Sequence, residues 1–243
     1  MPHAYEENTV SLPKIDRRVA SETWVVVPVY NEASVIRDVL NNLMAVFPNV
    51  VAVDDGSSDD TFDAIRATKA HALQHLVNRG QGAALQTATD HALEQGAARI
   101  AHFDADGQHR IEDLITMVNA VASGECDIAL GNRFAGDTSQ IPLSRRLLLR
   151  SAVIFHRFAS GIALNDVHNG LRVFSRPAAR KIEITADRMA HASELIDLIA
   201  QSGYRVKEIP VTIRYSEYAR NKGQRWTGGF RILFHYLVQR VLG

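Results

Sequence analysis

Three short stretches carry residue types at spacings that could do chemistry. In FDADGQH (103–109), Asp104 and Asp106 stand two apart on a turn, directly behind the apolar run RIAHF. Two carboxylates at that spacing can both reach one hard cation through oxygen, and magnesium or manganese would then bridge to a diphosphate. The plainer alternative is a helix-capping turn, because Asp and Gly favour turns in any case. VDDGSSDDT (53–61) repeats the arrangement at an earlier strand end. A cap at Ser58 or Asp59 accounts for residues 57–60. It does not account for Asp54, or for Asp55 beside it, where a carboxylate could accept hydrogen bonds from a nucleobase or ribose. NRGQGAALQTA (78–88) sets Gly80 and Gly82 between a strand and a helix. Asp104 follows about twenty residues later, as a dinucleotide fingerprint would want. The third glycine position is Leu85, however, and two strand–helix units precede the motif, so nicotinamide binding is disfavoured. The amides of this turn can still face a phosphate or a sugar.

These stretches need a scaffold, and the chain supplies alternating strand and helix patterns. TWVVVPVY (23–30), NVVAVDD (49–55), HALQHLV (71–77), ARIAHFD (98–104) and CDIALGN (126–132) read as strands. Helical spacing fills 33–47, 57–70, 82–96 and 111–124 between them. This rhythm predicts a mostly parallel central sheet with helices on both faces, a Rossmann-like α/β fold. Ligands of such sheets bind beyond the carboxyl ends of the strands. Asn31 and Glu32, Asp54 and Asp55, Asp104 and Asp106, and Asn132 and Arg133 all fall there. The second half is less regular. LRVFSR (171–176) reads as a strand, 188–203 as a helix, and 204–215 as a strand pair or bent strand. Residues 143–161 and 223–243 read as basic amphipathic helices, of the kind that can lie in a lipid interface or simply pack on the domain.

The chain has 243 residues, 46% hydrophobic and 22% charged, which suits one globular α/β domain. Residues 1–20 are expected to be loosely ordered and 21–243 to form a single domain, with a nucleotide half to about 133 and an acceptor half from 134. Formal net charge is zero, so no global field points to nucleic acid. The single cysteine, Cys126, excludes an internal disulfide and a cysteine-built zinc site. The N-terminus has no apolar signal region, and no long uncharged apolar run occurs. The ten histidines form no i, i+4 pair on one helix. His109, His168 and His191, beside the motifs, read as positioning hydrogen-bond groups rather than metal ligands.

VVVPVYNEASVI, VDDGSSDDT, NRGQGAALQTA, DADGQH and GNRF, in that order, resemble glycosyltransferase family 2, inverting enzymes of the GT-A fold. The likeness is to its dolichyl-phosphate mannosyltransferase-like, polyprenyl-phosphate branch, and runs from about residue 23 to 235. It implies that Pro28, Tyr30 and Glu32 line a nucleotide site, and that Asp54, with Asp55, contacts the base. Asp104, Ala105 and Asp106 would match the family's D-x-D. Asp106 would then bind Mg2+ or Mn2+, Asp104 would contact ribose or metal, and Gln108 would add a diphosphate or metal contact. Arg133 would face the phosphates. NDVHNGLRVF (165–174) is similar to a later family segment, with Leu171 in place of the usual aromatic. AHASELI (190–196) aligns with the family's acidic position, but Glu194 is followed by Leu195 where relatives often carry Asp.

The resemblance implies a metal-dependent inverting transferase. It would move a sugar from a UDP-, GDP- or dTDP-linked donor to a membrane-borne acceptor, foremost polyprenyl phosphate. It would work on the cytoplasmic face of the membrane in envelope or surface-polysaccharide assembly, with a small separate membrane protein as a conceivable partner. A lipid phosphate is already anionic and needs cations, not a base; Arg133, Arg145, Arg146, Arg150, Lys222 and Arg225 supply them. A sugar hydroxyl would instead benefit from a carboxylate base, by roughly 10²–10⁴ in rate. Asp166 and Glu194 are the candidates for that role. The alternative for Asp166 is a loop-closing carboxylate that holds Arg172 or a backbone amide. A sugar-phosphate nucleotidyltransferase would want a glycine-rich, basic loop on the first strand, which PVYNEAS lacks. A non-catalytic binding module would follow from a broken metal site, yet both acids are present.

Overall fold

The computed structural model describes residues 12–135, 164–166, 169–185 and 191–214. The expected helices at 143–161 and 223–243, with Arg145, Arg146, Arg150, Lys222 and Arg225, lie outside the described residues, as does His168. In chain order the elements are α1 (Arg17–Ser21), β1 (Thr23–Val29), α2 (Ile36–Met44), β2 (Asn49–Asp54), α3 (Thr61–Arg66), β3 (His71–Gln74) and α4 (Gln81–Glu94). Then follow β4 (Arg99–His102), α5 (Ile111–Ala122), β5 (Ile128–Asn132), β6 (Arg172–Ser175), α6 (Arg176–Lys181), α7 (His191–Ser202) and β7 (Val206–Pro210). The seven strands form one sheet in the order β3-β2-β1-β4-β6-β5-β7. β6 runs antiparallel to both its neighbours, and every other pairing is parallel.

The apolar run of β1 is buried at all seven positions because both faces of the sheet are covered. Val25, Val27 and Val29 pack with α2, α3 and α5, whereas Trp24 and Val26 pack with α4, α6 and α7. Pro28 in this central strand has a geometric reason. The β1–β4 ladder ends at Val26↔His102, closed by Phe103 N–H donating to the Val26 carbonyl at 3.1 Å. Pro28 has the parity of Val26, so its missing N–H falls on the side that β4 has already left. β2 stays paired to Val29 on the other side. The two strand ends therefore separate, and DADGQH follows β4 into that space.

Two short helices were not legible from periodicity. Asp16 caps α1 by accepting from Arg18 N at 2.8 Å, so helix begins inside the segment expected to be loose. α6 is six residues with a proline in its first turn, too short to show a pattern. Residues 57–60, expected to be helical, form a turn instead. Asp59 accepts from Thr61 N at 3.1 Å, and α3 starts only at Thr61. No helix of the described residues is long and apolar enough to cross a membrane.

Candidate active site

The acids named from the sequence do gather at the carboxyl ends of β1, β2, β4 and β5, but two adjacent pairs have different surroundings. Asp54 is wholly buried. It accepts from Ser57 N at 3.1 Å and from Gln74 Nε2 at 2.9 Å, closing the turn after β2. Asp55, also buried, accepts from Arg79 N at 3.0 Å and Gly80 N at 2.7 Å. His75 Nδ1 lies 2.7 Å from the same carboxylate, and its Nε2 lies 3.0 Å from Thr87 Oγ1 on α4. Asp55 thus ties the NRG turn to the end of β2, and the Gly80 amide is directed inward at it. Gly56 permits the fit, since a Cβ there would meet the Asn78 nitrogen and Val77 carbonyl carbon at 2.8 Å. Gly82 is buried within α4.

The β1 end is stitched to the same turn. Asn31 adopts φ 53°, a left-handed conformation that asparagine tolerates better than most residues. Its N–H donates to Ser57 Oγ at 2.8 Å, and its side-chain oxygen accepts from Ser58 N at 2.9 Å. Glu32 is nearly buried, with its N–H on Thr61 Oγ1 at 2.8 Å. Tyr30, 46% exposed, is presented beside it at the rim.

Asp104 and Asp106 are different: both stay partly exposed, with Ala105 between them anchored in the core. Gln81 Nε2, at the start of α4, donates to Asp104 Oδ1 at 3.0 Å. His109 Nε2 lies 3.0 Å from Asp104 Oδ2. Burial works to raise the Asp104 carboxyl, but His109 and the positive charges of Arg172 and Arg133 outweigh it and hold the pKa down at about 2. Asp106 is displaced the other way. Burial raises it, and the negative charges of Asp104 and Glu32 add to the rise. Gln108 offsets part of this by donating its backbone N–H to Asp106 Oδ1 at 3.0 Å, with its side-chain amide on Oδ2. A cation would relieve that repulsion, and an all-oxygen donor set suits Mg2+ or Mn2+. Among the described residues no three His, Cys, Asp or Glu side chains converge as a complete metal site. The carboxylate pair fits an ion that takes its other ligands from phosphate oxygens and water, as Mg2+ commonly does.

A third cluster faces this pair from β5 and β6. Arg133 is buried and donates its backbone N–H to Asp166 Oδ2 at 3.0 Å and Nε to the same oxygen at 2.6 Å. Asn169 Nδ2 adds a third bond at 3.1 Å. Asp166 therefore closes this loop by holding a backbone amide, that of Arg133, together with the Arg133 and Asn169 side chains, and makes no bond to Arg172. Its Oδ1 is buried without a hydrogen bond. Glu208 on β7 secures the loop by accepting from Asn165 N at 2.8 Å and Asp166 N at 3.1 Å. Gly170 lets this loop approach β4, because a Cβ there would overlap the Asp104 carboxylate. Glu194 is turned elsewhere, accepting from Thr185 N at 3.1 Å and Thr185 Oγ1 at 2.5 Å. Of the histidines expected to position other groups, His109 does so for Asp104, and His191 is buried at the start of α7.

His75, Gln81, Asn169 and Glu208 were not singled out from the sequence. Each acts on a partner at least twenty residues away, except Asn169, so no short motif announces them.

The model of the glycosyl transferase family 2 matches residues 24–183, a span that includes all three clusters. The chain belongs to that family. It is 35% identical over 225 residues, 90% of its length and 93% of the relative's, to an uncharacterized protein of Methanocaldococcus jannaschii. It is 26% identical over 240 residues to a UDP-N-acetylglucosamine–dolichyl-phosphate N-acetylglucosaminyltransferase of Methanococcus voltae, covering 90% of this chain and 96% of that one. A polyprenol monophosphomannose synthase of Mycolicibacterium smegmatis is 29% identical over 84% of this chain and 82% of its own. Among solved structures, glucosyl-3-phosphoglycerate synthase of Mycobacterium tuberculosis superposes with a TM-score of 0.66 at 17% identity, over 92% of this chain and 82% of that one. The same enzyme has been solved with Mn2+, UDP-glucose and phosphoglyceric acid. At that identity the likeness shows the fold, the GT-A arrangement expected from the motifs.

Proposed function

We propose that this family 2 glycosyltransferase uses Mg2+ or Mn2+ and a nucleotide-diphosphate sugar, and transfers the sugar with inversion to polyprenyl phosphate. The observation that carries the reading is the Asp104–Asp106 pair. It is partly exposed at the strand ends, and one carboxyl is held low while its neighbour is pushed up by burial and by the negative charge of Asp104. Asp106, with Asp104, would hold the metal, which when bound neutralises charge developing on the leaving diphosphate. Gln108 and His109 orient the two carboxylates, and Gln81 fixes Asp104 from α4. Pro28, Tyr30 and Glu32 form the rim on which the nucleoside would rest. Asp54 and Asp55 shape that rim by holding its turns. The lipid-phosphate acceptor is favoured by the names of the two relatives that act on dolichyl phosphate or make polyprenol monophosphomannose. It is favoured too by the engagement of both candidate bases, Asp166 with Arg133 and Glu194 with Thr185. Arg133 is the acceptor-side cation within the described residues; Arg145, Arg146, Lys222 and Arg225 would join it at the membrane surface. Work on the cytoplasmic face, in surface-polysaccharide assembly, follows from a cytosolic donor and a membrane-held acceptor. No separate membrane protein is required by this scheme.

A hydroxyl acceptor is the second reading, and the unbonded Oδ1 of Asp166 is the observation in its favour. Incubating the protein with radiolabelled UDP-, GDP- and dTDP-sugars and vesicles containing undecaprenyl or dolichyl phosphate separates the two. Chelator-sensitive label in the lipid phase, as an acid-labile phosphodiester, supports the proposal. Label appearing only on added glycans would contradict it.

A further inference from the structure

Arg172 is a buried cation with no bond that accounts for it. It opens β6 at the site end of the sheet and is 4% exposed. Its ladder partners are His102 on β4 and Leu130 on β5, so its side chain leaves the sheet on the α4, α6 and α7 face. Its charge interacts there with Asp104, Asp166 and Arg133. A buried guanidinium ordinarily finds acceptors for its donors. Arg133 does, and even the only partly buried Arg99 and Arg176 do, Arg99 with Thr23 and Glu22 and Arg176 with the Ala97 and Leu93 carbonyls. Arg172 makes no hydrogen bond to a described residue. The two carboxylates beside it are bonded to others: Asp104 to Gln81 and His109, Asp166 to Arg133 and Asn169. Burial also works against its charge. None of its nitrogens is among the fully enclosed side-chain atoms left without a partner, so the guanidinium keeps some contact with solvent, where an anion can reach it.

We propose that Arg172 is an oxyanion-binding residue of the site, donating its guanidinium hydrogens to a phosphate oxygen of the ligand held beside Asp104 and Arg133. The planar fork of arginine matches phosphate geometry, and its permanent charge suits a site where carboxylates and phosphates meet. The phosphate has two possible sources, the donor's diphosphate or the acceptor's monophosphate. The inference rests on the transferase reading above, and the test separates the two.

The test is titration of UDP, GDP and dTDP with Mn2+, and steady-state transfer from the matching nucleotide sugars to undecaprenyl phosphate, on the wild type, Arg172→Lys and Arg172→Gln. Loss of a charged hydrogen-bond donor should weaken the phosphate ligand about 10- to 100-fold in Arg172→Gln, with Arg172→Lys recovering part of it. A raised nucleotide Kd assigns Arg172 to the donor's diphosphate. An unchanged nucleotide Kd with a raised KM for undecaprenyl phosphate assigns it to the acceptor. Folded variants with wild-type Kd and both KM values overturn the inference, because a purely structural arginine would alter only thermal stability. A wild type that binds no nucleotide and transfers no sugar refutes the transferase reading instead. Should both variants fail to fold, the Arg172 Nε–H resonance of the wild type is followed during titration with pyrophosphate and Mn2+. A perturbed, exchange-protected signal supports the assignment, and an unmoved one ends it.

Discussion

The ends of β2 and β4 carry the same kind of signal, a pair of aspartates on a glycine turn behind an apolar strand, and the fold uses them oppositely. Asp54 and Asp55 are sealed in and bonded to Ser57, Gln74, His75, Arg79 and Gly80. Those hydrogen bonds hold three loops in register. Asp104 and Asp106 remain partly open, and the negative charge of one disfavours ionisation of the other. Buried carboxylates that accept from backbone amides and neighbouring side chains hold the turns around them. A partly open pair in which burial and the charge of Asp104 push Asp106 up is a site suited to added positive charge. What separates the two is which loop folds back over each. The NRG turn closes onto Asp55 because Gly56 lets it approach, whereas DADGQH follows β4 into the gap beside Pro28.

If the two pairs differ in this way, their substitution should divide function from stability. The largest effect is expected at Asp106. Asp106→Asn should lower transfer by about 10²–10³-fold, on the scale of losing one preorganised charge-stabilising contact, while urea unfolding shows an intact fold. Since burial and Asp104 oppose ionisation of Asp106, the variant should be no less stable than wild type near neutral pH. At the other pair, Asp55→Ala leaves two amides and His75 without their acceptor and should cost about 3 kcal/mol in chemical denaturation. A smaller effect separates the members of the open pair. The folded-state pKa of Asp104 is about 2, below its ordinary 3.8. Its contribution is therefore present above the ordinary value and lost as pH falls through about 2, roughly 2 kcal/mol in all. Asp104→Asn should flatten that acid limb in unfolding curves taken at successive pH values. The smallest effect is expected from Gln81→Ala, which frees one bond to Asp104 and should weaken Mn2+-dependent nucleotide binding about fivefold by calorimetry.

The alternation of strands and helices was legible because each buried strand of a doubly covered sheet is continuously apolar, and Trp24 to Val29 shows this plainly. The location of the acids followed from the same reading, since strand ends are where such sheets bind ligands. How the acids are used was not legible. Asp54–Asp55 and Asp104–Asp106 look alike in one dimension, and their difference depends on Gln74 and His75, twenty residues from their partners. Asp166 shows the same limit. Its spacing allows a base or a loop closure, and only the fold brings Arg133 onto it across thirty-three residues. α6 escaped notice because six residues carry no usable period.

The most direct test of the claim that Asp104 and Asp106 hold a cation that holds a diphosphate is calorimetric titration of UDP, GDP and dTDP. It is made with and without Mn2+, on wild type and Asp106→Asn. Tight binding of one nucleotide, lost when either the metal or the aspartate is removed, is the predicted result. Equal binding by Asp106→Asn, or binding indifferent to Mn2+, would contradict it and return DADGQH to the status of a turn.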